Sequence, residues 1–278
     1  MKRRLQLKVY DHRRKWYILS AIVIVLGLLS LTFRGLNQGL DFTGGTELHL
    51  RFEQPVAVAD VRERLEAHGF GQASILLLGA EKREVLIRAR ALPEGDERQA
   101  LYASLAELGS FEIIGLDEVS PVISSELKRN ALIALLLAAL GMVAYITLRF
   151  EFKFAIAGII ALLHDAAVTL GLFSLLGAQV DSAFIAAVLT VLGYSINDTI
   201  VVFDRVRENL RARRRSQPVG DLVNRSVNQV LVRSINTSLT TLLTVLALIV
   251  FGAGAIRDFA LALLIGILSG TYSSIFIA

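Results

Sequence analysis

The sequence predicts an α-helical integral membrane protein with six transmembrane helices. It also predicts one extracytoplasmic α/β domain, ferredoxin-like in its βαββαβ order, between helices 1 and 2. Three observations predict this class. Of 278 residues, 54% are hydrophobic and 19% charged, and the charges come in blocks. Six apolar runs approach the roughly 20 helical residues that span a hydrocarbon core about 30 Å thick. One long stretch between the first two runs alternates and turns as a water-facing domain does. The absence of cysteine excludes disulfides, thiolate metal sites and a Cys nucleophile. A net charge of +4 is explained by basic topogenic loops, so no nucleic-acid partner is inferred.

The runs follow in order. The first covers Trp16–Phe33, behind Arg13, Arg14 and Lys15. No small-x-small cleavage site follows it before Asn37, so it reads as a retained anchor rather than a signal peptide. The others cover Leu127–Leu148, Phe154–Leu176, Ser182–Phe203, Ile235–Phe251 and Arg257–Ala278. Basic residues mark one side: Lys2, Arg3, Arg4 and Lys8 at the N-terminus, Arg149 and Lys153 after the second run, and Arg205, Arg207, Arg211 and Arg213-Arg214-Arg215 after the fourth. The loops Gly177–Asp181 and Gly252–Ile256 carry no Lys or Arg. Positive loops stay in the cytoplasm, which predicts both termini inside. The amphipathic stretch Asp221–Val232 is expected to lie along the inner membrane surface before the chain re-enters.

Residues 1–34 thus form the N-terminus and first helix, 35–121 the outer domain, and 122–278 helices 2–6, with a basic cytoplasmic loop at about 205–233. Within the domain, Thr46–Phe52 alternates as a strand and Val58–His68 is a helix stopped by Gly69. Ser74–Leu78 and Glu84–Ala89 are strands joined by the turn Gly79–Arg83. Glu97–Leu108 is a helix stopped by Gly109, and Phe111–Leu116 is the last strand.

Charges inside apolar runs carry the functional information, because each costs about 2.5–3.5 kcal/mol at a helix centre on insertion scales. Asp198 lies deep in the fourth run beside Asn197, with Ser195 at i−3. It reads either as a titrating group in a polar seam or as a neutral acid that packs helices. Arg233 opens the fifth run and reads as the cation for Asp198 or as a snorkelling interfacial residue. Asn236, Thr237, Thr240 and Thr241 follow it at helical spacing as a stripe facing other helices. His164-Asp165 sits mid-way along the third run, with a role in the same seam or in a structural hydrogen bond. No second ligand pair has the spacing of a metal site, so no metal and no cofactor is inferred. Asp41-Phe42-Thr43-Gly44-Gly45 follows the first run, and its glycine pair permits positive φ and close backbone approach. It is not a phosphate loop, because no helix with a Lys follows.

These motifs resemble the SecF family. They are Asp41-Phe42-Thr43-Gly44-Gly45, Leu163-His164-Asp165, the run from Gly193 through Asn197-Asp198-Thr199 to Asn209, Arg233-Ser234-Ile235-Asn236-Thr237-Ser238, and Gly270-Thr271-Tyr272-Ser273-Ser274. They occur in family order over nearly the whole chain. Asn197-Asp198-Thr199 separates the family from its sister SecD, which ordinarily has Asp-Ala-Asn there. One departure is Ser120 before Pro121, where the family usually has Gly. The resemblance implies a non-enzymatic subunit of the resistance-nodulation-division superfamily that pairs with SecD as two pseudosymmetric six-helix halves. It implies work with the SecYEG channel, YajC, YidC, membrane lipid and an unfolded preprotein. The proton motive force would promote late-stage translocation and release of that preprotein, with Asp198 and Arg233 matching the family's fourth-span acid and fifth-span arginine. The alternatives are a proton-coupled exporter of small molecules or lipids of that superfamily, a His-Asp membrane metallohydrolase, and a purely structural partner of SecD.

Overall fold

The computed structural model describes residues 7–79, 81–90, 92, 95–214, 216–252 and 255–278. Lys2, Arg3, Arg4 and Arg215 of the basic clusters lie outside the described residues, as do Ala80 of the turn Gly79–Arg83 and Ala253 and Gly254 of the loop Gly252–Ile256. In chain order, helix α1 (Arg13–Phe33) is followed by a short helix α2 (Leu40–Thr43), strand β1 (Gly45–Phe52), helix α3 (Val58–Ala67), strands β2 (Ser74–Leu78) and β3 (Glu84–Ala89), helix α4 (Asp96–Ala106) and strand β4 (Phe111–Val119). Five long helices follow: α5 (Pro121–Arg149), α6 (Phe152–Leu176), α7 (Ser182–Arg211), α8 (Val219–Phe251) and α9 (Ala255–Phe276). Among the described residues, six helices are long and apolar enough to cross a membrane: α1 and α5 to α9. The chain divides into two units, residues 38–130 and residues 1–37 with 131–278.

In the smaller unit, Leu48, Leu50 and Phe52 recur at every second residue of β1 and are fully buried, as the period of two demands. They pack with Val85 and Ile87 of β3, Val61 and Leu65 of α3, and Leu101 and Leu105 of α4. The sheet order is β2-β3-β1-β4, and each neighbouring pair is antiparallel. β4 runs to Val119, beyond the Leu116 expected from the sequence, because its last residues pair with Gly45–Glu47. A register shift opposite His49 and Leu50 absorbs one extra residue. Gly45 has φ +113°, and a Cβ there would stand 2.2 Å from the Ala89 carbonyl oxygen. The second glycine of the pair therefore lets β1 begin hard against the end of β3.

In the larger unit, α9 is central and packs against α6, α7 and α8, while α1 packs on α6. α6 ends at Gly177 in the left-handed conformation, with φ 66° and ψ 18°. α7 then starts at Asp181, whose carboxylate accepts from the Phe184 amide at 2.8 Å as an N-cap. Close approach is set by small residues. Gly27 of α1 meets Gly171 of α6 backbone to backbone, and Gly270 of α9 lies against Ser195 of α7.

One expectation is corrected here. Asp221–Val232 does not lie apart from the fifth span, because α8 is continuous from Val219 to Phe251. Its apolar face is covered by protein: Leu222, Val227 and Leu231 pack with Val9, Val202, Val206 and Ile275. An amphipathic face satisfied by neighbouring helices has no need of a membrane surface.

Candidate functional site

Besides the α7 cap Asp181, two buried carboxylates among the described residues of the helical unit, Asp165 and Asp198, each tie three helices together by hydroxyl groups. Asp198 of α7 accepts from Ser234 Oγ of α8 at 2.7 Å and from Ser274 Oγ of α9 at 2.9 Å. The helix periods explain the geometry. Ser195 and Asp198 are three residues apart on α7, so both point inward, and the inner face of α8 repeats as Ser234 and Ser238. Among the described residues, Asp198 makes no ion pair. A carboxylate in an apolar environment with two hydroxyl donors and no cation is poorly compensated when ionised.

The partner expected for it is elsewhere. Arg233 is exposed, one residue before Ser234, and adjacent helical residues point about 100° apart. With Ser234 turned into the bundle, Arg233 must face outward. The stripe follows Arg233: Asn236, Thr237 and Thr240 are exposed, and the two threonines return their hydroxyls to their own helix at Arg233 O and Thr237 O. Asn197 is exposed as well, for the same angular reason beside Asp198. The seam read from the sequence therefore splits. Its acid is inside this chain, and its arginine, asparagines and threonines line the outside of α7 and α8.

Asp165 of α6 is wholly buried, and it holds a richer set of contacts. Oδ1 accepts from Ser269 Oγ at 2.7 Å and lies 3.0 Å from His164 Nδ1. Oδ2 accepts from Ser195 Oγ at 2.5 Å and from Ser273 Oγ at 2.7 Å. His164 continues outward: Nε2 lies 3.1 Å from Ser20 Oγ of α1. Ser20 donates to the Tyr272 hydroxyl at 3.2 Å, and Tyr272 donates to the Trp16 carbonyl at 2.8 Å. The Tyr272 ring stacks on the imidazole with centroids 5.9 Å apart. Asp198 and the His164-Asp165 pair are thus two centres, joined among the described residues along α7 and α9 by the neighbours Ser195 to Asp198 and Ser273 to Ser274.

Sequence reasoning did not single out Ser269 of α9 or Ser20 of α1, and it included Ser273 and Ser274 only within the Gly270–Ser274 motif. For α9 a signal was present: Ser269 and Ser273 lie four apart, which places both hydroxyls on one face. The Asp41–Gly45 motif lies in the smaller unit, where Phe42 and Gly44 are buried and Asp41 is half-buried. Its role there is the close start of β1 described above.

Comparison with known proteins places this architecture. Residues 100–278 match the family model described as protein export membrane protein SecD/SecF, C-terminal, and residues 29–56 match the SecD/SecF GG motif. The protein translocase subunit SecF of Sebaldella termitidis is 42% identical over 99% of this chain and 90% of its own length. That of Thermodesulfovibrio yellowstonii is 43% identical over 96% of this chain and 92% of its own length. The crystal structure of SecDF, a translocon-associated membrane protein from Thermus thermophilus, superimposes with a TM-score of 0.87 at 40% identity. That match covers 98% of this chain and 38% of the SecDF chain, so this chain spans well under half of the larger protein. The exporter alternative finds no support among these relatives. The polar bundle, the glycine pair at the start of the sheet and the full-length matches agree: the chain belongs to the SecF family of protein translocase subunits.

Proposed function

We propose that this chain pairs with a SecD-type subunit and uses the proton motive force at Asp198 to assist the late stage of protein export through the Sec channel, as a transport subunit rather than an enzyme. The observation that carries the reading is the separation of Asp198 from Arg233. A buried acid lacks a cation, and one residue along α8 from its serine partner an exposed arginine opens a polar stripe. Polar and charged side chains facing lipid are costly, so that stripe calls for a covering protein surface. A second six-helix half fits it. Arg233, Asn197, Thr237 and Thr240 then lie between the two halves, with Asp198 just behind them.

Protonation would change the bonding at Asp198. The ionised carboxylate only accepts, whereas the acid must donate from one oxygen, so Ser234 or Ser274 must turn its hydroxyl away. Helix contacts at α8 and α9 thereby sense the proton. The membrane potential supplies about 2.3 kcal/mol per charge per 100 mV, roughly a fifty-fold bias on a two-state packing equilibrium.

The same reading puts the four-stranded unit outside the inner membrane, as a ferredoxin-like split βαβ fold, with both termini in the cytoplasm. The strand order and the Arg/Lys asymmetry of the short loops support it. The unit is the part that would meet an emerging preprotein, and YajC and YidC remain further partners on this reading.

The test is preprotein export with and without a proton gradient in membranes carrying Asp198→Asn, after assembly with the SecD-type subunit has been verified. The expected result is loss of the stimulation by the gradient. Unchanged stimulation would overturn the role of Asp198.

A further inference from the structure

For an ionised Asp165, the hydrogen-bond directions constrain the protons of His164. At one end of the network, the ionised Asp165 carboxylate can only accept, and Ser195, Ser269 and Ser273 already donate to it. His164 Nδ1 must therefore donate across its 3.0 Å contact. At the other end, the Trp16 carbonyl can only accept, so Tyr272 commits its single proton there. The Tyr272 oxygen then accepts the single proton of Ser20. The Ser20 oxygen faces Nε2 at 3.1 Å with no proton left to give, so Nε2 must donate as well. A ring with both nitrogens donating is an imidazolium.

We propose that His164 and Asp165 form a second proton-binding centre, distinct from Asp198, in which a His164 imidazolium paired with the Asp165 carboxylate exchanges its proton through Ser20 and Tyr272 with the Trp16 end of α1. The pair is neutral as a whole, which is what a low-dielectric interior tolerates. Among the described residues, Asp165 makes no ion pair with a Lys or Arg, and His164 is its one cationic partner. The other titratable groups facing the pair are Tyr272 from α9, Tyr17 from α1, which lines a groove of about 350 Å³ with Ser20 and His164, and Asp198 one turn along α7 from Ser195.

The exchange balances. His164 Nε2 passes its proton to Ser20, Ser20 passes its own to Tyr272, and Tyr272 passes its own to a water at the Trp16 end. One proton leaves in total. The imidazole becomes neutral and keeps Nδ1–H on Asp165. Ser20 and Tyr272 now point their hydroxyls back toward the ring, and the Trp16 carbonyl loses its donor. The packing of α1 on α6 and α9 is in this way tied to the protonation of a residue mid-way along α6.

This centre is independent of Asp198, and its consequence for export rests only on the reading that the chain couples export to the proton gradient. The test uses the full chain in its complex with the SecD-type subunit in lipid bilayers, with histidine ring nitrogens labelled with nitrogen-15. The signal of His164, one of four histidines, is assigned by its disappearance in His164→Gln. Both His164 nitrogens are expected to report bound protons in the intact complex. Tyr272→Phe keeps the stacked ring and removes the relay hydroxyl, and it is expected to leave Nε2 without a proton, because Ser20 is then free to donate to it. Gradient-driven export should fall at least about fivefold in both variants.

A neutral His164 at every pH between about 5 and 8 overturns the proposal. So does a titrating His164 whose replacement by Gln leaves gradient-driven export intact while Asp198→Asn abolishes it; in that outcome the Asp198 reading survives alone. If His164→Gln abolishes the gradient effect and Asp198→Asn does not, this centre stands and the Asp198 reading falls.

Discussion

The two units of the molecule are built inside out with respect to each other. The four-stranded unit buries Leu48, Leu50, Phe52, Leu65 and Leu101, and it displays ion pairs such as Arg51–Glu84 and Arg64–Glu107 on its surface. The helical unit buries Asp165, Ser195, Ser234 and Ser273, and it exposes Leu132, Leu136, Leu137 and Leu140 along α5. The difference reflects the solvent. In water, removing apolar area from the surface drives folding, at about 25 cal/mol per Å². In lipid, tails are as apolar as leucine, so helices are held by close packing and by polar groups that find partners.

The largest effect expected to test that contrast comes from one substitution made in both places. Leu101→Ala in the sheet core should cost about 2–5 kcal/mol of that unit's stability. Leu137→Ala on α5 exchanges one lipid-facing apolar group for another and should change stability by less than about 0.5 kcal/mol. Thermal unfolding of the purified chain in lipid, followed at an aromatic probe in each unit, measures both. Equal losses would break the comparison.

A smaller effect sharpens it within the sheet unit. Gly45→Ala demands a rare backbone conformation and meets the Ala89 carbonyl, so it should destabilise by more than about 1 kcal/mol. Limited proteolysis between β3 and β4 reports this without unfolding the bundle.

The smallest effect lies on the surface. Hydrogen bonding to the Arg51 guanidinium holds the Glu84 carboxyl below the ordinary value of 4.5 against an opposing desolvation, and the charges of Arg51 and His49 add to the lowering. A depressed carboxyl stabilises the fold at pH values above 4.5, and that contribution is lost as the pH falls through its lower folded value. Glu84→Gln should therefore leave stability nearly unchanged at pH 7, because exposed pairs contribute little, and should flatten the acid limb of the stability curve. A steep loss at neutral pH would mean that the surface of this unit carries more of its stability than its core does.

Much of both units was legible before any coordinates. The strands Ser74–Leu78 and Glu84–Ala89 agree with the sequence pattern at both ends, because turn residues bracket each of them. Asp198 and the His164-Asp165 pair stood out because ionisable residues are rare and expensive in apolar runs. The continuity of α8 was not legible, since an amphipathic face looks the same whether lipid headgroups or Val9, Val202 and Val206 cover it.

The sequence by itself determined which segments are apolar and long enough to cross a membrane and which acids lie within them. Those properties follow from residue type and period, and both are local. Only the tertiary structure decided that Asp198 is held by Ser234 and Ser274 while Arg233 faces outward, and that Asp165 gathers serines from α7 and α9 beside His164. A rotation of about 100° about a helix axis separates Ser234 from Arg233. The choice between them is made by the packing of neighbouring helices, which no single stretch of sequence contains.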